Sequence, residues 1–139
     1  MRRTFEIGPK AGHRDPALEL EIQRWIEAVT CETWPSDAEY GAVLRDGQVL
    51  CRLMNKLSPG AIKKINTSGA AFKFVENINN VQQAMKKYGV PDLDLFQTPD
   101  LFEKKDIPAV TNAIYALGRQ TYHHPEWKGP WLEPKPGEE

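Results

Sequence analysis

A chain of 139 residues is the size of one domain, and with 40% hydrophobic and 27% charged residues it holds enough apolar material for a single packed core. No run approaches the roughly 18 apolar residues of a membrane span, and the opening Met1-Arg2-Arg3 has no apolar stretch behind it, which argues against a transmembrane helix and a secretory signal. A net charge of −1 argues against a broadly basic nucleic-acid binder, and two cysteines, Cys31 and Cys51, are too few for a disulfide framework, so a reduced, cytoplasmic setting is expected.

Residues 1–15 show no apolar period and carry Gly8, Pro9 and Gly12, so a flexible lead-in is expected there. Asp15-Pro16 then supplies an N-cap followed by proline at the first helical position. Leu18, Ile22, Trp25, Ile26 and Val29 follow at helical spacing and form one apolar stripe, with Glu19, Gln23, Arg24 and Glu27 opposite. Thr33-Trp34-Pro35 interrupts the pattern, and Ser36-Asp37-Ala38-Glu39 has the form of a capping box that would start a second helix at Ser36. Residues 43–57 are dense in Val and Leu and predict a central, mostly buried helix, in which Gly47 marks a kink, a junction or a close helix contact.

Ser58-Pro59-Gly60 ends that helix, and a loop is expected over residues 61–71. Phe74, Ile78, Val81, Met85 and Tyr88 repeat at alternating four- and three-residue steps, the signature of an amphipathic helix, stopped by Gly89 and Pro91. Thr98-Pro99 opens a short helical turn with Leu101 and Phe102. A last helix begins after Asp106, with Val110, Ala113, Ile114, Leu117 and Thr121 on one face, and ends before Pro125. No stretch alternates with period two, so the expected fold is all-α, with four main helices and one or two short ones. Four prolines in residues 125–139 preclude a further helix; a linker or a strap is expected, with Trp127 and Trp131 as anchors. Trp25, Leu50, Leu53, Leu57, Phe74, Ile78, Ile114 and Leu117 are the expected core, and Asp46 and Asn77 are candidates to tie neighbouring helices together.

Three segments carry a resemblance. Residues 44–57 read LRDGQVLCRLMNKL, residues 72–78 read FKFVENI, and residues 95–106 read LFQTPDLFEKKD. With Trp25 in the first helix, their order and spacing resemble the signature segments of a calponin-homology domain over residues 16–123. The exit segment YHHPEWKGPW, residues 122–131, is similar to the calponin, transgelin and myophilin group in particular. That resemblance implies the calponin-homology fold, with residues 1–15 as lead-in and 124–139 as tail. It also implies a single-domain cytoskeletal module, associated with actin filaments in muscle or other contractile cells. Members of the group continue into short C-terminal repeats, so a longer parent protein is expected, and such repeats would then supply part of the actin binding. The alternative is a signalling adaptor, whose domain binds a kinase or another regulatory protein.

Catalytic chemistry is not expected. The histidines are His13 in the lead-in and the adjacent His123 and His124, which on a helix point about 100° apart and suit no shared metal. No phosphate-binding glycine loop, nucleophile elbow or zinc motif is present in the sequence, so no metal or cofactor is expected. Charge is the informative feature. Residues 61–90 hold Lys63, Lys64, Lys73, Lys86 and Lys87 against Glu76 alone, whereas residues 91–106 carry five acids and two lysines. Such a basic segment attracts acidic protein surfaces. By resemblance to tandem actin-binding relatives, filament contacts would fall around residues 21–28 and 77–101, which adds Glu21 and Arg24 to the five lysines as candidate actin-binding residues. A monomer that binds neither nucleic acid nor membrane is expected.

Overall fold

The computed structural model describes residues 13–132, so most of the lead-in and the last seven residues of the tail lie outside the described residues. Among the described residues there are helices and turns and no strand. Helix α1 runs Pro16–Thr30, α2 Tyr40–Leu44, α3 Gln48–Leu57, α4 Ala71–Tyr88, α5 Thr98–Phe102 and α6 Ile107–Gln120, with single 3-10 turns at Asp92–Asp94 and Thr121–His123.

Helix α1 starts where the Asp15-Pro16 pair predicts. Asp15 Oδ1 accepts the Leu18 N–H at 3.1 Å, satisfying one of the four donors that a helix start leaves unpaired. The helix ends at Cys31, whose φ of 59° is left-handed. Helix α6 starts in the same manner, with Asp106 Oδ1 accepting the Ala109 N–H at 3.2 Å and Pro108 in its first turn. Both helices lay their apolar stripes inward: Leu18, Ile22 and Ile26 meet a core shared with Val110, Ile114 and Leu117. Helix α3 packs between α1 and α4 and contributes Leu50, Leu53, Met54 and Leu57. Burial of each such side chain is worth about 1.5–3 kcal/mol against leaving it in water.

The second helix departs from the sequence reading. Ser36 caps nothing; Asp37 stands at φ 61°, so residues 36–37 turn instead of starting a helix. Glu39 is the cap, its Oε1 accepting the Ala42 N–H at 3.0 Å. Arg14 binds the same carboxylate at 2.7 Å and Glu19 at 2.7 Å, clamping the entry of α1 to the start of α2. Burial alone would raise the Glu39 pKa, but the Arg14 hydrogen bond and the N–H groups of Gly41 and Ala42 outweigh it and hold it down to about 2. The expected continuous helix over residues 43–57 is two helices, α2 and α3, meeting at Gly47. There φ is 77°, and a Cβ would lie 2.8 Å from the Cβ of Asn77. Gly47 is therefore both the junction and the close contact.

Asn77, fully buried on α4, explains why that contact is held. Its Nδ2 donates to the Asp46 carbonyl at 2.9 Å and the Asn66 carbonyl at 2.8 Å, while its Oδ1 accepts the Asn66 N–H at 2.9 Å. One side chain thus ties the α2–α3 junction, the 61–70 loop and α4. Asp46, the other candidate tie, binds locally, its Oδ1 accepting the Gln48 N–H at 3.0 Å. On α4 itself the apolar period and the burial part company. Phe74 falls on the apolar stripe but is only half-buried, and burial begins at Asn77 and Ile78 because the first turn projects past the edge of the core.

Residues 124–132 form a strap across the domain. The Trp25 indole donates to the Pro130 carbonyl at 2.9 Å, and the Trp127 indole donates to the same oxygen at 3.1 Å. Trp131 stacks on Tyr122 with ring centroids 6.3 Å apart, and Leu132 covers Gly118 of α6. His124 stacks on Tyr88 at 3.7 Å, its Nε2 lies 2.8 Å from the Tyr88 carbonyl, and its Nδ1 lies 3.1 Å from Glu126.

Candidate functional site

The five lysines of residues 61–90 do not form one patch. Lys63 and Lys64 stand on the loop after α3, and Lys87 on the last turn of α4; these three line one groove of about 490 Å³. Lys86, adjacent to Lys87 in sequence, is turned about 100° away on the helix and pairs with Asp92 at 3.4 Å. Lys73 is half-buried, its stem packed over Gly69, and does not line the groove. Glu21 and Arg24 are exposed on α1 and take no part in the groove either. Lys63, Lys64 and Lys87 form no ion pair among the described residues, unlike Lys86, Lys104 and Lys105.

The groove has a firm wall. Asn55 of α3 brackets Ile62 with two bonds, Nδ2 to the Ile62 carbonyl at 3.0 Å and Oδ1 from the Ile62 N–H at 2.8 Å. Asn66, four residues on, binds the Lys73 carbonyl at 2.8 Å and Glu76 Oε1 at 2.7 Å through its Nδ2. The loop is thereby tied at both ends of the lysine pair. Glu76, the acid of the groove, is engaged by that bond. Along α4 the lining continues with Asn80, Gln83 and Ala84. The sequence reading passed over Asn80 and Gln83, although their place in the Glu76, Asn80, Gln83, Lys87 series puts them on one helical stripe.

A second groove, of about 430 Å³, lies between the end of α1 and the α2–α3 junction. Its polar groups serve the fold: Glu27 accepts the Trp34 N–H at 2.6 Å, Glu32 pairs with Arg52 at 2.8 Å, and Asp46 accepts the Gln48 N–H at the start of α3. Phe72, 68% exposed at the start of α4, and Leu93, 97% exposed beyond its end, are bare apolar side chains outside both grooves.

Cys51 is buried against α4, its thiol donating to the Asn77 carbonyl at 3.6 Å, and burial pushes its pKa up to about 12. Cys31 is exposed. A thiol reagent at mildly alkaline pH is therefore expected to modify Cys31 quickly and Cys51 only on unfolding. Equal rates for the two thiols in the native chain would contradict this. Among the described residues no three His, Cys, Asp or Glu side chains are placed to hold a metal ion, and no helix is long and apolar enough to cross a membrane.

Known proteins place this architecture. The family model for the calponin homology (CH) domain matches residues 16–123. The chain is 59% identical over 129 residues to Muscle-specific protein 20 of Drosophila melanogaster, covering 93% of this chain and 70% of that protein. It is 52% identical over 134 residues to myophilin of Echinococcus granulosus, covering 95% of this chain and 70% of that protein. Among solved structures, the calponin-homology domain of an IQGAP protein from Schizosaccharomyces pombe superposes with a TM-score of 0.72 at 27% identity, over 84% of this chain and 72% of that one. The helices, their order and these likenesses agree: the chain belongs to the calponin-homology domain family, in its calponin, transgelin and myophilin branch, whose members are structural cytoskeletal proteins and not enzymes.

Proposed function

We propose that this domain attaches to actin filaments in the cytoplasm of contractile cells through the groove that carries Lys63, Lys64 and Lys87. The observation that supports this reading is three ammonium groups, none in an ion pair among the described residues, gathered around one groove of a domain similar to muscle proteins. Positive charge of this kind raises encounter rates with an acidic surface and loses its effect as salt rises. Lys86 contributes little, because Asp92 already holds it.

The test is co-sedimentation with filamentous actin across a salt series. The parent chain pellets at low salt and progressively less as salt rises. The triple reversal K63E/K64E/K87E weakens pelleting about tenfold or more, since it sets like charges against each other, whereas Lys86→Glu leaves it near the parent's. A triple variant that pellets like the parent would remove this face from the filament contact and favour an adaptor that binds another protein.

A further inference from the structure

The groove holds more than lysines. Asn80 and Gln83 project into it, and among the described residues neither side-chain amide has a protein partner. An ammonium offers only donors, but a carboxamide offers both a donor and an acceptor. A ligand made of acceptors alone, such as a phosphate or a lipid headgroup, would engage the three lysines and the amide N–H groups but leave the acceptor oxygens of Asn80 and the exposed Gln83 to water. A polypeptide main chain supplies both. Its carboxylate side chains would meet the lysines while its N–H and C=O groups meet the amides.

Spacing agrees with that chemistry. Residues three apart on a helix have Cβ atoms roughly 5–6 Å apart, and every second residue of an extended chain recurs at about 6.6 Å. Asn80 and Gln83 therefore match successive same-side groups of an extended segment lying along α4. Lys87 stands one turn further on, and Lys63 and Lys64 face it from the loop. Between them Ile62 and Ala84 form an apolar floor. The Asn55 and Asn66 bonds fix the loop wall in advance, so little ordering is left to binding.

We infer that this groove is a receptor for an extended, acidic polypeptide segment of a partner protein, with Asn80 and Gln83 reading its main chain and Lys63, Lys64 and Lys87 its carboxylates. This deepens the filament reading and rests on it only for whose segment enters.

The test is a chemical-shift titration of the isotope-labelled chain with blocked hexaglutamate, tripolyphosphate, and vesicles of phosphatidylserine in phosphatidylcholine. Hexaglutamate is expected to move the side-chain amide signals of Asn80 and Gln83 together with the backbone around residues 63–64 and 83–87. The double variant N80A/Q83A, which removes no core residue, is expected to weaken the peptide about tenfold and tripolyphosphate much less. Equal weakening of both ligands, or weakening of neither, would overturn the inference, as would vesicles or tripolyphosphate binding more tightly than the peptide. Filament sedimentation separates the two proposals. If the peptide binds through both amides and filaments are ignored, the receptor stands and the filament reading falls. If filaments bind by way of the lysines and N80A/Q83A changes nothing, the filament reading stands and the receptor falls.

Discussion

Replacing Asn77 by Ala is expected to destabilise the domain by about 3–5 kcal/mol, measured by urea or thermal unfolding followed by circular dichroism. The side chain is fully buried and makes three hydrogen bonds, to the Asp46 carbonyl, the Asn66 carbonyl and the Asn66 N–H. Alanine leaves all three main-chain groups without that partner, the two of Asn66 buried and the Asp46 carbonyl partly so, and orphaned buried groups cost about 1–3 kcal/mol each. Asn77→Asp is nearly the same shape and informative for that reason. It keeps the acceptor for Asn66 N–H but turns a carboxylate oxygen on two carbonyl oxygens. Such an acid ionises less readily folded than unfolded, so its penalty is present above about pH 4 and fades as the pH falls below. The Asp variant should therefore unfold more easily than the Ala variant near neutrality, and the gap should narrow in acid. A loss below about 1 kcal/mol for Asn77→Ala would show that the junction is held by packing alone.

Trp25→Ala is expected to cost a similar amount, about 3–5 kcal/mol, but for another reason. Trp25 is 4% exposed in the shared core of α1 and α6, so truncation leaves a large cavity. Its indole N–H also donates to the Pro130 carbonyl. Trp25→Phe separates the two roles. The ring fills most of the space, and the global loss should be about 1–2 kcal/mol, while the strap loses one of two donors to Pro130 and keeps Trp127. Amide exchange in residues 126–132 should then accelerate more than exchange in the core of α6. Equal acceleration in both places would mean that the strap and the core open together and that the indole bond has no separate effect.

These expectations divide as the fold itself does between what a local pattern encodes and what only distant residues decide. The starts of α1 and α6 were legible because Asp followed by Pro, or by proline one residue later, is a local device with its partner three residues away. Gly47 was legible as a break and not as a meeting point, because the Asn77 that occupies the space a Cβ would need lies thirty residues on. The capping-box reading of Ser36 failed because Asp37 turns the chain at φ 61° and Glu39, which Arg14 also holds, caps α2 instead. Phe74 misled by period: spacing tells which face a residue is on, not whether another element covers that face. The lysines were found by counting charge. Their division into a groove trio, a pair with Asp92 and a packed stem needed the helical angle and the loop's position, and only the first of those is in the sequence.

The loop wall of the lysine groove has no regular secondary structure of its own; Asn55 of α3 and the loop's own Asn66, bonded to α4, hold its backbone in place. None of these bonds involves the side chains of Ala61, Lys63 or Lys64, all of which are exposed. On the proposed reading, recognition and folding are thus written in separate letters here. Substitution at those three positions would then redirect the domain to a different partner while the scaffold stays intact, and one helical frame would be readdressed by surface drift alone.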